Sequence, residues 1–257
     1  MNLKILFHIQ EVLKEAGYFD ISRIANEIYT YSIEKNIPLN LILERISNQE
    51  PWEYIQGFVD FRGRKFLVTK DTLIPRIESE QLVDIAKDLI LKNDIKTVID
   101  LGTGSGCLII SIAHEIENQL ITFVGIDISQ AALNIAKKNG STGKIYFYKK
   151  DLICKEELED NTLIVANLPY IPTKMYEELD RSVKEYEPRL ALDGGSDGLL
   201  YYKRLIEQIR LSKKEIFLLI EIEPSTLTEL TQATNNIPFK VFQDFNKRNR
   251  FVLFNFS

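Results

Sequence analysis

Cysteine is scarce: two residues in 257, Cys107 and Cys154. That argues against a disulfide scaffold and fits a reducing compartment. Histidine is as rare, with only His8 and His114, so no Cys/His spacing suits a structural zinc ion and no metal is expected. No run reaches the ~18 apolar residues that span a bilayer. The opening segment MNLKILFHIQEVLKEAG has acidic residues soon after its apolar ones and no small-residue cleavage site, unlike a secretory signal. The expected location is the cytoplasm, with no membrane partner. Positive charge is not in excess either: 32 Lys+Arg against 37 Asp+Glu give a net charge of -5. This balance argues against a broad nucleic-acid surface, though it leaves room for a local basic patch. What is present is ordinary for a soluble globular chain, with 45% hydrophobic and 27% charged residues. At about 150 residues per domain, the length allows one or two domains.

Residues 1 to about 56 read as helical. Leu3, Leu6, Phe7, Ile9, Val12 and Leu13 make a 3.6-type stripe that Gly17 can end. Asp20 or Ser22 can cap a second helix, with Ile21, Ile24, Ile28 and Tyr31 or Ile33 on its apolar face. Pro38 opens a third, with Leu41, Ile42 and Ile46 facing inward, and Pro51-Trp52-Glu53-Tyr54 begins a short last turn. From Gly57 to Leu73 the period changes to two around Arg62-Gly63, which predicts a hairpin joining two domains. LIPRIESE then leads into a helix through about Leu91.

Five β-rich runs follow, TVIDL, ITFVGID, KIYFYKKD, TLIVAN and EIFLLIEI, separated by periodic segments. This is the pattern of a doubly wound parallel sheet. KVFQDF and RFVLFNFS are separated by NKRN, too short for a crossover helix, so they pair as an antiparallel hairpin. Seven strands that end in an antiparallel hairpin resemble the Rossmann-like sheet of class I methyltransferases.

TVIDL runs into Asp100-Leu101-Gly102-Thr103-Gly104-Ser105-Gly106, and the helical run CLIISIAHEI follows. Glycines let the backbone turn sharply and approach a ligand. Asp127 closes the next strand, where a carboxylate can accept from both ribose hydroxyls of a nucleoside. The spacing is GxGxG rather than GxGxxG. Asp100 would repel a pyrophosphate but can help hold the ammonium of a methionine moiety. Both details favour S-adenosylmethionine over a dinucleotide, and a ligand-free tight turn is the third reading. Asp151-Leu152 ends the third strand, facing an adenine with an acceptor and an apolar wall, or capping the next helix. Cys107 reads as a small buried residue and His114 as a surface one.

TLIVAN ends in Asn167-Leu168-Pro169-Tyr170. An amide or amino-aryl NH2 is a poor nucleophile because its lone pair is delocalised. Two neutral acceptors, the Asn167 side-chain oxygen and the Leu168 carbonyl, can bind its two N–H groups and aim the lone pair at a methyl group. Tyr170 can stack on the planar group. No strong base is required, since the proton becomes acidic only as the methyl arrives. The bland alternative is a strand ended by Pro169.

PWEYIQG at 51–57, FRGRKFLV at 61–68, LIPRIESEQLV at 73–83, DLGTGSGC at 100–107, NLPYIP at 167–172 and EPRLALDGGSDGL at 187–199 together resemble the protein-(glutamine-N5) methyltransferases of peptide chain release factors, the PrmC/HemK family. The resemblance covers nearly the whole chain. It implies a helical substrate-recognition domain at 1–56, a β-hairpin linker at 57–73 and a class I S-adenosylmethionine-dependent methyltransferase domain at 74–257. It implies methylation of the glutamine in the Gly-Gly-Gln loop of a class I release factor by a monomer that binds no nucleic acid directly. The cofactor positions carried over are Gly102, Thr103, Gly104, Ser105, Gly106, Asp127, Leu152 and Asn167. The catalytic and substrate positions are Asn167, Leu168, Pro169 and Tyr170. Three departures stand out: the family usually has Pro at 168, RPE at 76–78 and Gly at 223, where this chain has Leu168, Arg76-Ile77-Glu78 and Glu223. An adenine-amino methyltransferase would use the same tetrapeptide on a flipped base and should show a basic groove. A ribosomal-protein glutamine methyltransferase and a non-catalytic adaptor are the other readings.

Overall fold

The computed structural model describes residues 2–116, 120–140, 145–234 and 237–256. Lys144 and Ser257, the expected ends of two strands, lie outside the described residues. Four helices open the chain: α1 (Leu3–Glu15), α2 (Ile21–Glu34), α3 (Leu39–Ser47) and α4 (Trp52–Gln56). Leu6, Ile9 and Leu13 of α1 meet Ile24, Ala25 and Ile28 of α2, Ile42 and Ile46 of α3, and Trp52. Gly17 ends α1 in the left-handed region, as expected. Two details of the stripes differ. Leu3 and Phe7 are about two-thirds exposed and Leu41 about half exposed. Each of these helices therefore buries a strip narrower than its full apolar set.

Strands β1 (Phe58–Phe61) and β2 (Arg64–Leu67) form the expected hairpin, paired Phe58 to Leu67 through Phe61 to Arg64. It is no free joint. Phe61 and Phe66 are buried in one cluster with Leu82, Val83, Ala86, Val98 and Leu108. The Arg62 guanidinium reaches the Glu115 carboxylate at 2.9 Å, and the Leu67 N–H donates to Asn139 Oδ1 at 2.8 Å. A chain cut near Asp71 would therefore lose two core aromatics.

The rest alternates: α5 (Glu80–Lys92), β3 (Thr97–Leu101), α6 (Cys107–Glu115), β4 (Thr122–Asp127), α7 (Gln130–Asn139), β5 (Ile145–Lys149), β6 (Thr162–Ala166), α8 (Thr173–Glu177), α9 (Arg181–Lys184), α10 (Leu200–Ser212), β7 (Ile216–Glu221), α11 (Leu227–Ala233), β8 (Phe239–Gln243) and β9 (Asn249–Phe256). The seven strands are ordered β5-β4-β3-β6-β7-β9-β8. The first five are parallel, and β9 runs antiparallel between β7 and β8. Continuous apolar runs such as TVIDL and TLIVA suit strands covered on both faces. The chain winds outward from β3 to β5, then returns to β6 on the other side of β3. That reversal opens a crevice at the C-terminal ends of β3 and β6, where an open α/β sheet binds its ligand. The glycine loop and the Asn-Leu-Pro-Tyr segment lie on its two sides. Among the described residues, no helix is long and apolar enough to cross a membrane, and no group of His, Cys, Asp and Glu is placed to hold a metal ion.

Candidate active site

Gly102, Gly104 and Gly106 all have positive φ, so the backbone turns within five residues from strand to helix. The N–H groups of Gly102 and Thr103 both donate to the Ile126 carbonyl, at 2.9 and 3.0 Å, fixing the loop against the end of β4. A side chain at Gly106 would sit 2.8 Å from Ile110 Cδ1 and 3.2 Å from Ala136 Cβ, so the loop also sets how closely α6 approaches α7.

Asp127 ends β4. Its Oδ2 accepts from the Gly104 N–H and its Oδ1 from the Ser129 N–H, both at 2.8 Å. These bonds fix the carboxylate's direction. Burial pushes its pKa up and the backbone donors pull it down, with a net rise. Asp100 behaves differently from its expected role. It is fully buried, Oδ2 accepts from the Thr103 hydroxyl at 2.6 Å, and Oδ1 is buried with no partner. Burial raises its pKa to about 7. It underpins the loop rather than facing the crevice.

The crevice holds about 1050 Å³ of empty space, its open mouth included. Of the expected cofactor residues, Gly102, Gly104, Asp127, Leu152 and Asn167 line it, while Thr103, Ser105 and Gly106 do not. Thr103 and Ser105 point into the protein, buried beneath the loop. Leu152 lines the wall with φ near +63°, an uncommon conformation for a leucine. The adjacent Asp151 also lines the crevice, but its Oδ2 takes a hydrogen bond from Arg204 at 2.8 Å. Ile128, Ala132, Tyr201 and Leu190 complete an apolar slot beside one fixed carboxylate. That donor set fits a nucleoside with an apolar ring face and a ribose.

Across the crevice, Asn167, Leu168 and Pro169 line the wall. The Asn167 Nδ2 group donates to Glu221 Oε2 at 3.1 Å and to Ser79 Oγ at 3.2 Å, so its Oδ1 is the acceptor that remains. The Leu168 N–H donates to the Tyr202 hydroxyl at 3.1 Å. That hydroxyl also lies 3.4 Å from the Leu168 carbonyl oxygen, but its single proton goes to the closer Glu221 carbonyl, so the lone pairs of the Leu168 carbonyl stay open to a second donor. Tyr170 is not part of the wall as the stacking reading requires. Its phenol donates to Glu221 Oε1 at 3.0 Å, and its ring packs against the main core.

The DGGSDGL loop explains itself sterically. A side chain at Gly194 would sit 2.6 Å from the Pro169 carbonyl oxygen, and one at Gly198 would sit 2.3 Å from that of Tyr170. The loop clasps the backbone immediately after the tetrapeptide: Gly194 N–H donates to Ile171 O, and Thr173 N–H to Gly195 O, both at 2.8 Å. Upstream, the buried Glu187 ties EPR to LIPR by an ion pair with Arg76 and a bond from the Ile74 N–H.

The residues that sequence reasoning missed are Ser79, Tyr202 and Glu221. Glu221 had a signal: it is an acid at the C-terminal end of a strand that is otherwise apolar, beside the crevice. Ser79 and Tyr202 had none, since each reaches the site only through the tertiary fold.

Residues 92–183 match a family described as a methyltransferase domain. A release factor glutamine methyltransferase of Geobacter sulfurreducens is 38% identical over 64% of this chain and 57% of its own length. Another, of Bacillus anthracis, is 35% identical over 79% of this chain and 75% of its own. The match thus spans under two thirds of the Geobacter protein but three quarters of the Bacillus one. Among solved structures, the hMettl16 catalytic domain in complex with a MAT2A 3′UTR hairpin superposes with a TM-score of 0.60 at 16% identity, covering 76% of each chain. That likeness concerns the fold alone, the class I methyltransferase sheet with its terminal hairpin. With about a third of the aligned residues identical over most of both chains, this protein belongs to the release factor glutamine methyltransferase family.

Proposed function

We propose that this chain transfers a methyl group from S-adenosyl-L-methionine to the side-chain amide nitrogen of the glutamine in the Gly-Gly-Gln loop of a class I peptide chain release factor. The carrying observation is the state of Asn167: its NH2 is spent on Glu221 and Ser79, and the amide stands at the crevice wall with its oxygen unused. A neutral acceptor there, beside the Leu168 carbonyl, is what an amide NH2 requires.

When bound, the cofactor supplies an electrophilic methyl group. Asp127, held by the Gly104 and Ser129 N–H groups, accepts from the ribose hydroxyls. Ile128 and Leu152 wall the adenine, and Gly102 and Gly104 let the main chain approach. Asn167 Oδ1 and the Leu168 carbonyl take the two N–H hydrogens of the substrate amide. Bonds that strengthen as the nitrogen becomes tetrahedral favour the transition state over the ground state. No side-chain base is required: as the C–N bond forms the sulfur–methyl bond would break, the neutral thioether would be the leaving group, and one amide proton would pass to solvent through the open crevice mouth.

The helices at 1–56 serve as the docking unit for the release factor in this reading, 57–73 as the hairpin and 74–257 as the transferase. The protein works as a cytoplasmic monomer. Tyr54 links the parts, since its hydroxyl donates at 2.6 Å to the carbonyl of Thr72, a residue of the crevice wall.

The test is mass spectrometry of the Gly-Gly-Gln peptide after incubation with the protein and the methyl donor. One added methyl on the glutamine is expected, and none on a Gln→Glu release factor. An unmodified glutamine, or methylation of adenine in oligonucleotides at a comparable rate, overturns the reading.

A further inference from the structure

The buried carboxylate of Glu221 has no part in the activity as derived so far, yet it touches both polar side chains of the tetrapeptide. Glu221 is the last residue of β7 and is 1% exposed. Three donors converge on it: Ser79 Oγ at 2.6 Å and Asn167 Nδ2 at 3.1 Å on Oε2, and the Tyr170 hydroxyl at 3.0 Å on Oε1. The Tyr202 hydroxyl, itself bonded to the Leu168 N–H, donates to the Glu221 main-chain carbonyl. Side chain and backbone of this one residue therefore fix Asn167, Leu168 and Tyr170 together.

A primary amide has nearly the same shape either way round, so packing alone does not decide which end of Asn167 faces the crevice. Chemistry decides it. Burial pushes the Glu221 pKa up and the hydrogen bonds from Ser79 and Tyr170 pull it down; with three donors converging on its two oxygens the carboxyl acts as the acceptor, which demands the Nδ2 end. Ser79 spends its single proton on Glu221 and has only lone pairs left for Asn167, so it demands the same end. Reversing the amide would set two oxygens against each other in a buried site, and it would offer a donor to a substrate NH2 that can only donate usefully. We infer that Glu221, with Ser79, is a positioning residue that sets the polarity of the Asn167 amide and so turns an acceptor toward the substrate. This rests on the glutamine-amide reading above.

The test is a polarity swap measured in steady state with release factor and methyl donor both varied. Glu221→Gln keeps the shape but can donate, so Asn167 loses its preference. The expected result is a kcat lower by about tenfold or more with donor affinity within about twofold of wild type. Asn167→Asp alone sets two carboxylates together and should be nearly inactive. Combining Asn167→Asp with Glu221→Gln reverses donor and acceptor within the pair and again leaves an acceptor facing out. The double variant should exceed Asn167→Asp by about tenfold, a rescue that simple loss of packing does not produce. Ser79→Ala deletes only a hydroxyl and should lower kcat by about threefold, which keeps the inference testable if Glu221→Gln does not fold. Wild-type kcat in folded Glu221→Gln, or a double variant no better than Asn167→Asp, overturns it. Failure of wild type to methylate the glutamine at all is the separate outcome that overturns the activity.

Discussion

Leu168→Pro makes the family's usual tetrapeptide, and by sequence it should be harmless. Pro169 already biases residue 168 toward an extended backbone that proline adopts, and a stiffer unfolded chain would add ~0.4–1 kcal/mol of stability. The structure reverses the sign. The Leu168 N–H is not free but bonded to the Tyr202 hydroxyl, and that phenol is fully buried. Proline has no N–H, so the substitution removes a buried hydrogen bond worth about 1 kcal/mol and leaves the Tyr202 oxygen short of a donor. The Leu168 side chain is also buried, and proline replaces it with a smaller, differently shaped group. A loss of roughly 1–2 kcal/mol for that change is reasonable. The net effect is destabilisation by about 2 kcal/mol, or a Tm lower by roughly 4–8 °C for a chain of this size. Turnover should stay within about threefold of wild type, since the acting group is the main-chain carbonyl. Denaturant melts of Leu168→Pro, Tyr202→Phe and the double variant separate the terms. The two changes share one bond, so their costs should fall short of additivity by about 1 kcal/mol. Strict additivity, or a Leu168→Pro protein as stable as wild type, refutes the role given to Tyr202.

Two further predictions concern parts of the site that hold no substrate. Gly198→Ala drives a methyl to 2.3 Å from the Tyr170 carbonyl oxygen and should cost more than about 3 kcal/mol and most of the activity, whereas Gly17→Ala, with nothing within 4 Å, should cost only about 1 kcal/mol for its positive φ; equal melting temperatures would show that the clasp is soft. Asp100 holds its proton in the folded state up to about pH 7 but in the unfolded chain only to about 3.8, so its contribution is fully present below pH 4 and is lost as pH rises to 7. That shift corresponds to on the order of 4 kcal/mol, and Asp100→Asn should flatten the fall in unfolding free energy between pH 4 and 7; an unchanged slope would show that Asp100 is ionised without penalty.

The parts of the fold that were legible in the sequence are those set by local pattern. Period two gave the 58–67 hairpin, apolar runs between helical segments gave the five parallel strands, and NKRN was too short for anything but an antiparallel return. Order within the sheet follows from handedness and winding once the strands are known. The glycine loop was legible because a turn that tight leaves little choice of residue. Exposure was less legible. Leu3, Phe7 and Leu41 satisfy a helical stripe, but which edge of it meets a neighbour depends on helices that the pattern does not place. The same holds for Asp100. Its position at a strand end suggests a ligand contact, yet the chain folds Thr103 back over it. Ser79 and Glu221 lie 142 residues apart in sequence, and nothing local marks them as partners.

The three departures from the family pattern are not equal, and their surroundings rank them. Ile77 is 69% exposed, and the two residues beside it that matter are already in use: Arg76 pairs with Glu187 and Ser79 with Glu221. A proline at 77 would change solvent contacts only. Glu223 has φ near −69° and ψ near 124°, a backbone any residue adopts, so glycine is not required there. Leu168 differs from both, because its N–H enters the bond chain Leu168–Tyr202–Glu221 that also orients Asn167. A relative with proline at that place cannot make the first of these bonds. In such a relative, the hydroxyl that Tyr202 supplies here would be short of a donor unless another group met it. Leucine at 168 and a buried phenol at 202 therefore act as a pair, and the departure is best understood as two positions rather than one.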